Sequence, residues 1–167
     1  MASSARQRPS LTIDPDNLVS PLREIRDYWT SKCGGRAMPR RADVDPLELP
    51  RQYMPYLSII EVLPETKDFR FRVIGTGITE RLGRDSTGRT VREVYAAADR
   101  EIREWMLEAY QAVVTHKRPV LKRGTLRMVQ KDFVDFEALH LPLSEDGERV
   151  SMLFGYTHFL DRKPHKG

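Results

Sequence analysis

The chain has 167 residues, 40% hydrophobic and 31% charged, with a formal net charge of +4, which suits one ordinary globular domain able to bury a core. No apolar run approaches the ~18 residues that cross a bilayer, and the first ten residues have no apolar stretch of the kind a secretory signal needs. The single cysteine, Cys33, excludes an internal disulfide framework and any all-cysteine metal site, so a cytoplasmic protein with no membrane span is expected.

Residues 1–17 mix Ser, Arg, Pro and Asp without periodicity and read as a disordered tail. Ser20 as N-cap and Pro21 at the first helical position open a helix carrying Leu22, Ile25 and Trp29, which Gly34-Gly35 ends. Residues 36–50 hold Pro39, Pro46 and Pro50 and read as an extended segment wrapping the surface. Within it, Asp45-Pro46-Leu47-Glu48 fits a capped turn, Asp45 accepting backbone amides and Glu48 reaching back to the cap, a device worth about 1 kcal/mol.

From Tyr56 the pattern becomes strand-like. Leu57 to Leu63 is an apolar run, Phe69 to Ile74 alternates, and Pro64 to Lys67 reads as the hairpin loop between them. Gly75 to Gly83 reads as a short helix with Ile78 and Leu82 four apart, and Asp85 to Thr90 as a polar loop. A long helix follows, capped by Asp99, with Ile102, Trp105, Met106, Ala109, Tyr110 and Val113 on one stripe. His116, Lys117 and Arg118 suit its C-terminal end and Pro119 stops it. Three strands are expected at about 120–129, 133–143 and 150–160, the last two joined through Ser144 to Gly147, whose Asp-Gly pair signals a turn. Residues 162–167 are a second tail. Short connections demand antiparallel pairing, so the expected fold is α+β, a five-stranded antiparallel sheet with helices on one face and an added N-terminal helix.

One irregularity stands out. Val134 and Phe136 share one phase of the strand, whereas Leu139, Leu141 and Leu143 share the other, and Glu137 falls with the later leucines. Either the strand bulges, or Glu137 points inward and needs a partner, for which Arg72 is the candidate, or the strand twists there into solvent.

A set of ordered motifs narrows the reading. They are Leu22 to Tyr28-Trp29; Gly35-Arg36, Met38-Pro39, Arg41, Asp43 and Asp45-Pro46; Phe71-Arg72 with Gly75-Thr76; Gly83-Arg84 with Thr87-Gly88-Arg89; and Leu141 to Ser144 before Asp146-Gly147. In this order and spacing, over residues 22 to 158, the chain resembles a family of bacterial PAS-like domains marked by an Arg-x-Met-Pro-x-Arg-x-Asp-x-Asp-Pro signature. The resemblance implies a cytoplasmic sensor or regulatory adaptor, often standing alone without an attached kinase or cyclase. It divides the chain into an N-terminal helix and Pro-rich wrapping segment over 18–55 and a PAS-like domain over 56–161. It also places a small apolar ligand between sheet and helices, where Ile78, Leu82, Trp105, Met106, Tyr110 and Phe154 would line the site, with Arg72 and Glu137 as polar anchors.

Searches for chemistry return little. Gly75-Thr76-Gly77 has Glu80 where a dinucleotide fingerprint needs its third glycine, and no phosphate loop is present. His116, His140, His158 and His165 are scattered without metal-ligand spacing; no cofactor is assigned, and haem is disfavoured. Cys33 sits at a helix C-terminus, which raises a thiol pKa, and no serine lies in a nucleophile elbow. The expected function is therefore a non-catalytic sensory module that binds a small molecule or a signalling protein, the alternative being a small enzyme using the same cavity. Self-association is expected through the N-terminal helix by Leu22, Ile25, Tyr28 and Trp29. Nucleic acid is a disfavoured partner, because acidic residues are interleaved with the basic ones, and the densest basic cluster, Arg36, Arg40 and Arg41, meets Asp43 and Asp45 at once.

Overall fold

The computed structural model describes residues 9–126 and 130–161, the side chains of residues 132 and 133 excepted. In chain order the elements are β1 (Ser10–Ile13), α1 (Ser20–Lys32), β2 (Leu57–Leu63), β3 (Asp68–Ile74), α2 (Thr76–Leu82), α3 (Val91–Val94), α4 (Arg100–His116), β4 (Val120–Leu126), β5 (Lys131–Leu143) and β6 (Met152–Asp161). The strand end expected at 127–129 and the tail expected at 162–167 lie outside the described residues. Most boundaries follow the local signals. Pro21 occupies the first turn of α1, Gly83 ends α2 in the left-handed conformation, and the Asp45 carboxylate accepts the Leu47 amide at 3.0 Å. Glu48 does not reach back to that cap: it pairs with Lys32 at 2.5 Å and lies 2.8 Å from the Tyr28 hydroxyl. The polar loop ends at Thr90 as expected, but a short helix that the sequence reading did not place, α3, starts there through a reciprocal capping box of Thr90 and Glu93.

The strands form one six-stranded sheet in the order β1-β4-β5-β6-β2-β3, every neighbouring pair antiparallel. One expectation changes here. The sheet has a sixth strand because Ser10–Ile13, expected in the disordered tail, pairs with β4 from Ser10↔Arg123 to Ile13↔Val120. That edge strand is mostly exposed, and its alternation of Leu11 and Ile13 with Ser10 and Thr12 is only four residues long, too short to stand out from the tail. What ties it down is Asp14, whose amide donates to the Pro119 carbonyl at 2.7 Å and whose carboxylate pairs with Arg26 and Arg118.

The helices between the strands share one face, as expected, and the added N-terminal helix covers the other. α2, α3 and α4 lie on the face of Phe69, Phe71 and His140, which Tyr110 of α4 contacts edge-on. α1 lies on the other face: Tyr28 meets Phe154 edge-on at 6.3 Å, and the Trp29 indole donates to the Pro142 carbonyl at 2.9 Å. Leu22, Ile25 and Trp29 are buried in the core of their own chain, each worth about 1.5–3 kcal/mol in removed apolar surface. They are therefore not the exposed self-association surface that the sequence suggested.

The same double cover explains the phase change along β5. Its register with β6 runs unbroken from Val134↔Asp161 to Leu143↔Met152, so no bulge intervenes. Val134 and Phe136 belong to a small cluster with Leu82 and Trp105, while Leu139 and Leu141 pair with Tyr156 and Phe154 on the face under α1. The strand's apolar face changes because the covering element changes.

Residues 36–50 are more than a surface wrap, since Met38, Val44 and Leu49 drop into the core. Their charged neighbours hold the path. Arg36 and Arg40 both bind Asp43, whose carboxyl is held below its ordinary range chiefly by Arg40, and the Arg41 guanidinium donates to the Val44 carbonyl at 2.8 Å. The signature motif thus has a structural explanation at each of these positions.

Gly75 is fixed by a close approach. A β-carbon there would overlap the Pro55 carbonyl and stand 2.8 Å from the Met54 oxygen. Because both obstacles are backbone, Gly75→Ala is expected to cost about 3 kcal/mol. Urea unfolding should show a lower midpoint with an unchanged slope.

Candidate functional site

Between the sheet and the α2–α4 layer lies a cavity of about 70 Å³. Its floor comes from every strand except β1: Ser58 and Ile60, Phe71 and Ile74, Lys122 and Leu126, Phe136 with Ala138 and His140, and Thr157 with Phe159. Its roof is Ile78 and Leu82 of α2, Ser86 of the following loop, Tyr95, and Met106 and Tyr110 of α4. Gly155 on β6 shapes the floor: a β-carbon there would overlap Ser58 Oγ and stand 2.9 Å from His140 Cδ2.

Most of the lining is apolar, which makes its two basic groups conspicuous. Lys122 is only 4% exposed. Its Nζ lies 3.3 Å from Met106 Sδ and over three rings, at 4.8 Å from the centroid of Tyr110, 5.6 Å from Trp105 and 5.7 Å from Phe136. Among the described residues no carboxylate is within ion-pair reach of it. A ring face over a desolvated ammonium contributes about 2 kcal/mol, whereas taking the ion out of water costs several kcal/mol. The balance goes against the charge: burial pushes Lys122 down to about 7. His140, on the same face and edge-on to Tyr110 at 4.9 Å, is held well below its ordinary range, first by burial and then by the charge of Lys122. Ser86 Oγ is buried without a hydrogen-bond partner. The cavity therefore concentrates unmet polar demand in an apolar shell. No Asp or Glu stands among its described lining residues.

A mixed helical layer on an antiparallel sheet, with a cavity between them, is the architecture that the ordered motifs implied. The sequence profile of the PAS domain family matches residues 18–158. The chain belongs to the PAS domain family. Among curated proteins none matches it. A solved structure described as an RNA-binding Light-Oxygen-Voltage receptor aligns with 92% of this PAS domain chain at 16% identity and a TM-score of 0.48. The chain spans 38% of that receptor's length.

Of the candidate ligand residues in this PAS domain, Ile78, Leu82, Met106 and Tyr110 line the cavity together. Trp105 stands one layer behind, against Phe136 at 6.3 Å. Three candidates are elsewhere. Phe154 lies on the opposite face, under Tyr28, because residues of a strand alternate between faces. Arg72 is half-exposed and pairs with Glu61 at 2.6 Å. Glu137 is buried, as the inward reading had it, but on the face away from the cavity; its partner is Arg123, directly across the ladder at 3.3 Å, and not Arg72. The Cys33 thiol is raised by burial rather than activated. No group of three His, Cys, Asp or Glu among the described residues is placed to hold a metal ion.

Lys122, His140 and Ser86 were missed. A signal for two of them existed. Lys122 shares the phase of Val120 and Leu126, and His140 shares that of Val134, Phe136 and Ala138, so each puts a basic side chain on an apolar face. Ser86 had no signal, because only the path of the loop after α2 brings it to the cavity.

Proposed function

We propose that this PAS domain is a sensory module of the cytoplasm that takes a small molecule into the cavity under α2–α4 and reports its presence to a signalling partner. The observation that supports this most is the cavity itself, an apolar enclosure holding a lysine and a histidine with no acid among its described lining residues. Buried polar groups without partners are costly, and a ligand that supplies the missing partner is bound in proportion to the cost it removes. The loop between α2 and α3 is the element suited to carry the message outward. It brings Ser86 to the cavity and is bonded to β3 through Gly88 N to Phe71 O and Phe71 N to Arg89 O, so a ligand that engages Ser86 pulls on a segment reaching the surface.

A second reading, a small enzyme using the same cavity, draws on the same lysine, since an amine near 7 serves as a base or nucleophile. It is the weaker one, because no described lining residue is a carboxylic acid to pair with it.

Native mass spectrometry of the purified chain tests the sensory reading. The expected spectrum shows extra mass that is lost on denaturation, and added small organic molecules should raise the melting temperature. A protein at its bare sequence mass that no added compound stabilises would remove the small-molecule sensor from consideration.

A further inference from the structure

Resting on the sensory reading above, the cavity also specifies what kind of molecule it takes. We propose that the ligand is a small apolar monocarboxylate, its carboxylate against Lys122 and its tail among Ile74, Ile78, Leu82 and Leu126.

Three observations converge on that chemistry. The charge balance of the lining is one-sided: Lys122 and His140 are both basic, the remaining polar lining groups are hydroxyls, and none is an acid. Every one of these can donate a hydrogen bond, and Ser86 Oγ is buried with no partner. An entering cation would meet Lys122 as a like charge, and a neutral alcohol would leave the ammonium uncompensated. A carboxylate satisfies the lysine and offers lone pairs to the hydroxyls at once.

The aromatic surround then explains how the lysine is tolerated in the core. Tyr110, Trp105 and Phe136 present rings to Nζ, so the ammonium is partly soothed but not neutralised. Elsewhere in the molecule buried and half-buried carboxylates have basic partners, as Asp43 has Arg36 and Arg40, and Glu137 has Arg123. Lys122 is the buried lysine left without an acid among the described residues. Size sets the rest. A cavity of about 70 Å³ has room for on the order of five water-sized groups, and apart from its polar end the wall is aliphatic and aromatic. That admits a short-chain acid of about five non-hydrogen atoms and excludes a ring acid, a long fatty acid, a sugar acid or a nucleotide.

Isothermal titration of the full chain with butyrate, propionate, 1-butanol and butylamine distinguishes the possibilities. Butyrate or propionate should saturate the protein at one site and bind at least about tenfold more tightly than 1-butanol, with no heat from butylamine. Lys122→Met should weaken the acids by about tenfold or more and leave 1-butanol as tight or tighter; its melting curve shows whether it is folded. The comparison of acid with alcohol on the unaltered chain stands without any variant. Equal affinity for acid and alcohol, or an unweakened acid in Lys122→Met, overturns the carboxylate assignment. If 1-butanol binds and the acids do not, that assignment falls while the cavity remains a ligand site. If none of the four binds, the carboxylate assignment falls, and the mass spectrum of the purified chain decides the sensory reading separately.

Discussion

Lys122→Met is expected to raise the melting temperature of this PAS domain by about 10 °C at pH 7. Lysine and methionine are both unbranched, so methionine can follow the same path past Met106 and Tyr110 without a new cavity. What it removes is an ammonium that burial has pushed from 10.5 to about 7. The folded pKa lies below that of the unfolded chain, so between those two values the unfolded chain carries the additional proton. Stability must then rise with pH across that window, and below it the cost of the buried charge is present in full. Each pKa unit corresponds to about 1.4 kcal/mol, which puts the gain from Lys122→Met in the range of about 3–5 kcal/mol at and below pH 7. His140, also lowered, adds a slope of the same sign as pH falls below its ordinary 6.5.

Two signatures should accompany the higher melting temperature. Relative to the unaltered chain, Lys122→Met should lose the stability rise above pH 7, so the two proteins converge in alkaline solution. Under the carboxylate proposal it should also bind the acids more weakly. A destabilising lysine kept in the core is a trade of stability that is common at functional sites. Thermal melts of both proteins at several pH values decide the matter. A variant that is less stable than the parent at every pH would mean that Lys122 contributes packing and not an unmet charge.

The second large effect is expected at α1. Trp29→Ala should destabilise the fold by about 3–5 kcal/mol, lowering the melting temperature by roughly 10 °C. The indole is 7% exposed and donates to the Pro142 carbonyl, so truncation leaves both a void and a carbonyl without its donor. Because α1 covers its own sheet, the solution mass of the variant, measured by light scattering under conditions where it remains folded, should equal that of the parent. A small loss of stability together with a changed mass would instead make α1 an interface between chains.

Much of this structure was legible in the residues. Turn chemistry at Pro64 to Lys67, the glycines flanking α2, and the stripe of α4 placed seven elements in order, because these signals act over a few residues and need no distant partner. The ordered motifs added the family, and with it the expectation of a cavity against α4 that Ile78, Leu82, Met106 and Tyr110 line. Sequence by itself also determined the amphipathic character of α1, though not what α1 meets. An apolar stripe states that burial is required and is silent about the surface that provides it. The choice between the chain's own sheet and a second copy was made by the path of residues 36–56, which holds α1 over β5 and β6.

The same limit governed β1, Glu137 and the site itself. Ser10–Ile13 becomes a strand only because β4 offers an edge and Asp14 finds Arg26 and Arg118. Glu137 takes Arg123 because register sets them opposite one another, and no local pattern encodes register between strands. Lys122 and His140 are out of phase with polar expectation in their own strands, which the residues alone reveal. That both face one cavity, with rings but no described acid around the ammonium, was decided by tertiary structure, since charge compensation depends on every element that packs against a group and not on the element that carries it.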